Sequence, residues 1–190
     1  MSSNKILPEQ LQAVYQELAQ CRLQATGMLA KIEEPELMLL KGHLLIEEIL
    51  FDLLIHKMRK SSGIESARLS FAQVVAIVEG LYHGEDLKCS WLYAACRLLN
   101  KIRNRLAHNA EPEGIEKEVA QFVDFVLSKN QPSFSPEHPL RYALGSVHAN
   151  FAVILTLHRK INLTPSFFRG LSFETQITIS KLLAEKLPDA

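Results

Sequence analysis

Apolar residues recur at intervals of three and four along most of this chain, the spacing that aligns side chains on one face of an α-helix. The longest runs cover residues 8–33 and 35–61, and the second of them is apolar over a broad face. Three shorter runs follow at residues 71–81, 90–106 and 115–126. The pattern therefore predicts five helices before residue 130.

Polar and turn-forming residues mark the ends of these runs. Ser70 and Ser90 stand where a side-chain oxygen caps the first turn of a helix. Glycine or proline interrupts the pattern at residues 83–84 and 111–114. The β-branched residues of the 71–81 run make a strand the one serious alternative there. Five helices with short connections predict an all-α protein, an antiparallel helical bundle.

Residues 130–139 form the clearest linker, because this stretch is rich in proline and serine, which do not continue a helix. The chain therefore divides into a helical bundle over residues 1–129 and a C-terminal helical extension over residues 140–190. Within the extension we expect a helix, a turn and a last helix, over residues 140–160, 165–171 and 173–187. The extension is expected to pack either on the bundle or on a partner.

The chain has no net charge, since 21 Lys and Arg residues balance 21 Asp and Glu residues. It lacks the positive charge with which a protein coats DNA or an acidic membrane, so any nucleic-acid contact is local. No uninterrupted apolar run reaches the roughly 18 residues of a membrane span, and the first ten residues lack the apolar core of a signal peptide. Three cysteines without close pairs, Cys21, Cys89 and Cys96, favour a reducing compartment and buried hydrophobic roles. These features predict a soluble cytoplasmic protein with no membrane segment.

Charge is unevenly distributed around the predicted fourth helix, since no acidic residue occurs between Asp86 and Glu111. The basic residues in this interval are Lys88, Arg97, Lys101, Arg103, Arg105 and His108. A basic helix of this kind binds phosphates locally. A solvated helix face, with cations that favour the helix C-terminus, would give the same pattern.

A second acid-free stretch covers residues 138–173. Its basic residues are Arg141, Arg159, Lys160 and Arg169, together with three histidines. The sequence leaves two interpretations open, an extended phosphate-binding surface or a contact with an acidic partner.

The end of the predicted fourth helix reads Arg103-Asn104-Arg105-Leu106-Ala107-His108, in which four residues separate an arginine from a histidine. This spacing, with a polar residue directly after the arginine, resembles the signature motif of the HEPN superfamily. The segment Leu40–Glu48 is similar to an early helix of such proteins, where an acidic residue can face the site, and here Glu47 and Glu48 are the acidic residues. The resemblance extends over roughly residues 36–127.

The resemblance implies one of two activities. Some members of the superfamily are metal-independent endoribonucleases of toxin and defence systems, and others only bind nucleotides or RNA. The first activity fits the residues, because RNA carries its own nucleophile, the ribose 2′-OH, and its cleavage needs an acid, a base and a cation. His108 and Arg103 would supply these groups, and further phosphate contacts are expected from Lys101, Arg105 and Arg97. No metal or other cofactor is expected.

Helical geometry constrains how the motif acts. On an ideal helix Asn104 and His108 share a face, so Asn104 is expected to orient the imidazole, whereas Arg103 and His108 are about 140° apart. For Arg103 to reach the same phosphate, either the helix ends or distorts before His108, or a second copy contributes across a dimer. The second arrangement resembles HEPN nucleases, in which a two-fold interface joins two motifs in one cleft. RNA and a second copy of the chain are therefore the expected partners.

Two further observations limit the functional options. His43 with Glu47, and Asp52 with His56, have a spacing that permits metal binding, but no repeated ligand motif accompanies them. In one HEPN group, a tyrosine two residues after the histidine is nucleotidylated by an antitoxin, whereas this chain has Ala110. We therefore expect an antitoxin or another protein partner to bind directly. The alternative to a ribonuclease is a non-catalytic helical module that binds RNA or protein, or acts as a regulator.

Overall fold

The computed structural model describes residues 16–17, 20, 24–25, 27–58, 62–82, 90–108, 114–130 and 135–161. This part of the chain contains six bounded helices and no strand. The helices are α1 (Pro35–Lys57), α2 (Ser62–Ser66), α3 (Phe71–Leu81), α4 (Ser90–His108), α5 (Ile115–Asn130) and α6 (Pro139–Ile161). The described residues before Lys31 are helical as well. The predicted all-α helical bundle is confirmed.

The start of α3 is a capping box formed by Ser70 and Gln73. The Gln73 backbone N–H donates to the Ser70 hydroxyl at 3.4 Å, and the Ser70 backbone N–H donates to the Gln73 side chain at 2.9 Å. These two bonds satisfy backbone donors that would otherwise lack partners in the first helical turn. They explain why residues 71–81 form a helix despite their β-branched side chains.

Several boundaries differ from the prediction. Helix α5 continues to Asn130, past the predicted run of residues 115–126 and into the predicted linker. Ser90 is the first residue of α4 and not the residue before it. Helix α1 ends at Lys57, and a short helix, α2, forms at Ser62–Ser66, where the sequence indicates an interruption. The Ser66 hydroxyl donates to the Gly63 carbonyl oxygen at 3.0 Å and closes this turn locally, which periodicity cannot reveal in so short a segment.

Helix α1 lies at the centre of the hydrophobic core. It packs against α3, α4 and α6, and its most extensive contacts are with α6. Ten residues of α1 are buried: Met38, Leu39, Gly42, His43, Leu45, Ile46, Ile49, Leu50, Leu53 and Leu54. Cys96 of α4 is fully buried in the same core, as predicted, and burial raises the pKa of its thiol. Cys21 and Cys89 lie outside the described residues.

Side-chain contacts define the directions of the helices beside α1. The ring of His43, in the first half of α1, lies 4.1 Å from the ring of Phe71 at the start of α3. Tyr82, directly after α3, donates a hydrogen bond of 2.9 Å to the carbonyl oxygen of Leu53 near the end of α1. Helix α3 therefore runs in the same direction as α1. The side chain of Asn100, in the second half of α4, is close enough to His43 to influence its pKa, so the end of α4 lies beside the first half of α1.

Helix α6 approaches α1 closely at Gly42. A Cβ atom added at Gly42 would lie 2.7 and 2.8 Å from the two methyl carbons of Leu144, which is itself fully buried. The absent side chain therefore makes room for α6. Farther along, Arg159 of α6 pairs with Asp52 of α1 at 3.1 Å, so α6 also runs in the same direction as α1. The antiparallel arrangement that the short connections predicted therefore does not hold for α3 and α6 relative to α1.

The described part of the predicted extension belongs to this core. Phe151 and Leu144 of α6 are among the largest fully buried side chains. The stretch Pro139–Arg159 is long and apolar enough to cross a membrane, but it is mostly buried within the bundle, as the core helix of a soluble protein would be. Residues 135–138 are non-helical and lead into α6. The turn and last helix predicted after residue 161 lie outside the described residues.

The contact between Gly42 and Leu144 generates a stability prediction. Gly42→Ala is expected to destabilise the protein by about 1–2 kcal/mol, because the cost of overpacking exceeds the gain in helix propensity of about 1 kcal/mol. Combining it with Leu144→Ala is expected to give a smaller loss than the sum of the two single losses. Gly80→Ala is the matched control, because nothing lies within 4 Å of an added Cβ there, and it is expected to stabilise α3. Urea denaturation measures all four variants, and strict additivity would contradict the contact.

Candidate functional site

The three motif residues Arg103, Asn104 and His108 are exposed in the last turns of α4. The helix continues through His108 and neither ends nor breaks before it. Arg103 and His108 therefore remain about 140° apart around the helix axis, as the spacing predicts for a regular helix. Two arrangements would let both residues reach one phosphate: a helix that ends or distorts before His108, or a second copy of the chain. The first is not observed.

Asn104 lies between Arg103 and His108 around the helix. The Arg103 Nη1 donates a hydrogen bond of 3.3 Å to Asn104 Oδ1. This bond turns the guanidinium toward the face that Asn104 shares with His108, four residues further along. The contact observed for Asn104 is thus with the guanidinium, and its expected orientation of the His108 imidazole stays a prediction. The bond is exposed, so its contribution to stability is small.

The other basic residues predicted on α4 are paired with carboxylates of flanking helices. Arg97 pairs with Glu79 of α3. Lys101 and Arg105 both pair with Glu118 of α5, at 2.8 and 2.9 Å. Bonding to Lys101, followed by the contributions of Arg105, lowers the pKa of Glu118. The basic helix is therefore partly neutralised by its neighbours.

Arg103 differs from these cations. Within the described ranges, no carboxylate lies within the 4.0 Å of an ion pair with Arg103. Its guanidinium is exposed at the end of the bundle. Arg103 nevertheless lies seven residues after Cys96 and four after Leu99, both buried, so it is on the same side of α4 as these core residues. Arg103 thus reaches solvent although it continues the buried side of α4. A phosphate can reach Arg103 without displacing a salt bridge.

Of the two acidic residues proposed on α1, Glu47 is the one that faces the motif. Burial raises the pKa of the Glu47 carboxyl, and the charge of Arg103 acts in the opposite direction, so the two groups interact electrostatically. Glu48 is exposed and instead lines a cavity of about 400 Å³ between α1, α6 and the residues before Lys31. The structure therefore brings Glu47 to Arg103 and leaves Glu48 on the other side of α1.

His43 is a site residue that the sequence analysis considered only as a metal ligand. Its Nδ1 lies 4.0 Å from Glu47 Oε2, and its side chain is 4% exposed. Burial, assisted by the charge of Arg103, lowers the pKa of His43 to about 4, so the ring is neutral at physiological pH. Its Nε2 has no hydrogen-bond partner in the described part of the chain. The four-residue spacing of His43 and Glu47 was the signal available in the sequence.

Neither a metal site nor a similar known protein gives further information about this site. Among the described residues, no group of three or more His, Cys, Asp or Glu side chains is placed to hold a metal ion. Asp52 pairs with Arg159 of α6. No protein-family model matches the chain, and neither a curated protein nor a solved structure is significantly similar to it. The functional argument rests on the motif residues and their surroundings.

The burial of His43 generates a prediction about pH. Because its pKa in the folded protein lies below the usual value of about 6.5, the unfolded chain binds the proton more readily. Its contribution to stability is complete above about pH 6.5 and is lost as the pH falls toward 4, by roughly 1–2 kcal/mol near pH 5. The raised pKa of Glu47 acts in the opposite direction, so the comparison must isolate His43.

Urea denaturation of His43→Phe against the wild type at pH 7 and near pH 5 isolates this contribution. The variant is expected to lose less stability on acidification, whereas His138→Asn, at an exposed position, is expected to behave like the wild type. An unchanged pH dependence in His43→Phe would show that His43 is not held neutral by the fold.

Proposed function

We propose that this protein is a metal-independent endoribonuclease of the HEPN type, acting as a toxin or defence effector in the cytoplasm. Arg103 and His108 are the proposed catalytic residues, with Asn104 in support. The observation that carries the proposal is the free guanidinium of Arg103, exposed beside Asn104 and without a carboxylate partner in the described residues. Its neighbours Lys101 and Arg105 are already paired with Glu118.

The proposed reaction uses the nucleophile that RNA itself supplies. His108 accepts the proton of the ribose 2′-OH, whose oxygen attacks the adjacent phosphorus. The bond from phosphorus to the 5′-oxygen breaks, and an acid protonates that oxygen. The products are a 2′,3′-cyclic phosphate and a 5′-hydroxyl. Arg103 stabilises the charge that develops on the phosphoryl oxygens, which needs a donor placed in advance.

Residues behind Arg103 support this role. The charge of Arg103 lowers the pKa of Glu47 against the effect of burial, so the carboxylate lies close enough to interact with the guanidinium electrostatically. His43 contacts the Phe71 ring at 4.1 Å, and its Nδ1 lies 4.0 Å from the Glu47 carboxylate. Such support matters because catalysis depends on a fixed orientation of the groups that contact the phosphate.

A second copy of the chain is part of the proposal, because α4 is regular through His108. A two-fold interface would place Arg103 of one copy near His108 of the other and supply two histidines, one as base and one as acid. The outer face of α1 is a candidate for this contact. Leu37, Leu40 and Leu44 are 51%, 38% and 50% exposed there, at helical spacing.

Regulation by a protein partner also belongs to the proposal. The nucleotidylation found in one related group lacks its acceptor here, since Ala110 occupies that position. An antitoxin would then bind the toxin directly and cover the motif.

The second candidate function, a non-catalytic module that binds RNA, is favoured by the separation of Arg103 and His108 within a single copy. In a monomer with this geometry, Arg103 binds a phosphate that His108 does not reach, so the RNA is bound but not cleaved.

Three substitutions separate cleavage from binding. His108→Ala is expected to lower cleavage by roughly 10²- to 10⁴-fold with little change in RNA affinity, because a neutral imidazole attracts phosphate weakly. Arg103→Ala is expected to lower both, and its effect on affinity is expected to weaken as salt rises. Lys101→Ala is the control, expected to leave turnover unchanged and to cost less affinity than Arg103→Ala, because Glu118 already pairs with Lys101.

Cleavage is measured on mixed RNA in the presence of a chelator, with sequencing of the ends to detect cyclic phosphate and 5′-hydroxyl products. Affinity is measured separately on RNA whose 2′-OH groups are methylated, since this RNA lacks the nucleophile. If all three variants lose the same amount of affinity and none loses turnover beyond that, the motif is only a basic patch. That result would favour the non-catalytic binding module.

The proposed two-fold site predicts complementation between inactive variants. Arg103→Ala and His108→Ala are each expected to lack cleavage, and a mixture that has exchanged subunits is expected to regain part of it. A mixed dimer keeps one Arg103 and one His108 on opposite sides of the interface, although it lacks the second histidine, so the recovery is partial. Light scattering is expected to show a dimer at micromolar concentration. Leu44→Lys is expected to give monomers, whereas Leu81→Lys, at a leucine that is 41% exposed on α3, is expected to remain dimeric. A wild-type monomer would exclude the shared site.

A further inference from the structure

A cavity of about 400 Å³ lies between helix α1, helix α6 and the helical residues before Lys31. Its volume is within the range of sites that bind small molecules. Glu48 lines this cavity, whereas Glu47 faces Arg103 on the other side of α1. We call this feature the α1–α6 cavity. It is separate from the motif, and the proposed reaction does not use it.

The α1–α6 cavity is elongated. Its lining on α6 runs from His148 to Arg159, eleven positions or about 16 Å along the helix. Its lining on α1 runs from Leu45 to Asp52, seven positions or about 10 Å along the helix. The two helices run in the same direction, so the cavity follows both axes. A cavity of this shape fits a linear ligand better than a compact one.

Much of the cavity wall is apolar. Leu45 and Ile49 of α1 line it, as do Ala152 and Leu155 of α6, and all four side chains are buried. Ala25, from the residues before Lys31, is buried on the third side. The two alanines leave space that a longer side chain would fill. A hydrocarbon chain that packs against this wall is removed from water, which is favourable.

Three carboxylates line the same cavity, those of Glu17, Glu48 and Asp52. The one permanent cation of the described lining is Arg159, and it pairs with Asp52 at 3.1 Å. The Thr156 hydroxyl donates to the Glu17 carboxylate at 3.4 Å. Among the ion pairs of the described residues none includes Glu48, whose side chain is exposed. Negative charge therefore exceeds positive charge along the described lining.

Other basic groups near the cavity do not reverse this balance. Burial lowers the pKa of His148 to about 4, so its ring is neutral at physiological pH. The buried His148 Nδ1 has no hydrogen-bond partner in the part of the chain that the structure describes, and it accepts a bond in the tautomer protonated at Nε2. Lys57, at the end of α1, donates to His158 Nδ1 at 3.4 Å and lies 4.9 Å from the centre of the Tyr82 ring. Its charge is therefore engaged outside the cavity.

A metal ion is not the cation that this lining fits. Among the residues that the structure describes, no three His, Cys, Asp or Glu side chains are grouped to hold a metal. The carboxylates are instead distributed along a partly apolar wall, with Glu48 and Asp52 one turn apart on α1. An ammonium group offers three donors to separate acceptors, and a hydrocarbon chain attached to it would cover the apolar part of the wall.

We propose that the α1–α6 cavity binds a linear aliphatic ammonium ion. The chain packs against Ile49, Ala152 and Leu155. The ammonium group is held by Glu48, and Glu17 adds to the negative potential around it. This binding is independent of the proposed ribonuclease activity, because Arg103, Asn104 and His108 do not line the cavity.

Isothermal titration calorimetry with hexylammonium chloride tests the site on the whole chain. Glu48→Gln is expected to weaken binding by roughly fivefold, because it removes the charge of an exposed side chain and keeps its shape. Arg159→Gln is expected to tighten binding by roughly threefold, because it removes a repelling charge and releases Asp52. Glu116→Gln, at an exposed position of α5, is the control for net charge and is expected to leave the affinity unchanged.

Two further ligands separate the contributions of charge and chain. 1-Hexanol has the chain without the charge, and methylammonium has the charge without the chain, so both are expected to bind at least roughly tenfold more weakly than hexylammonium. Equal affinity for 1-hexanol and hexylammonium would overturn the proposal, since the cavity would then not select cations. Tighter binding of hexanoate, weaker binding by Arg159→Gln, or equal losses in Glu116→Gln and Glu48→Gln would overturn it as well. So would wild-type protein that does not bind hexylammonium at millimolar concentration.

Discussion

Burial of helix α1 is the constraint on which the rest of the structure depends. Helices α3, α4 and α6 all pack against it, and ten of its residues are buried. The hydrophobic contribution of such a helix is realised only if each neighbour approaches closely, which is why Gly42 faces Leu144 at the contact with α6. A helix from the predicted extension thereby completes the core of the bundle.

The same burial determines the electrostatics of the candidate site. His43 lies on α1 within the core and is kept neutral, whereas Glu47, one turn further, is half-buried and faces Arg103. The cations on the outer sides of α4 meet Glu79 and Glu118 on the flanking helices. Among the described residues of α4, the flanking helices thus pair Arg97, Lys101 and Arg105 with carboxylates and leave the guanidinium of Arg103 without an ion pair. Which cation of α4 remains without an ion pair is decided by packing, because it depends on which helix lies beside each one.

Local signals in the sequence predicted the parts of the fold that local bonds determine. The capping serine at position 70 and the periodicity of residues 71–81 predicted α3, and the spacing of Arg103 and His108 predicted their separation on a regular helix. The sequence could not distinguish Glu47 from Glu48, because adjacent residues differ by about 100° and the choice depends on where α4 lies. Nor could it predict that Glu118 pairs with Lys101, since that contact joins two helices. The same limit applies to the meeting of Lys57 and His158, which lie 101 positions apart.

The close contact at Gly42 has a consequence for relationships between sequences. Because the space that Leu144 fills is the space a side chain at position 42 would need, neither position is free to change alone. In homologous chains that keep this packing, a larger residue at position 42 is compatible only with a smaller one at position 144. This coupled pair joins the first helix of the bundle to its last described helix. We therefore expect the two positions to covary among homologues, including those in which the motif residues have diverged.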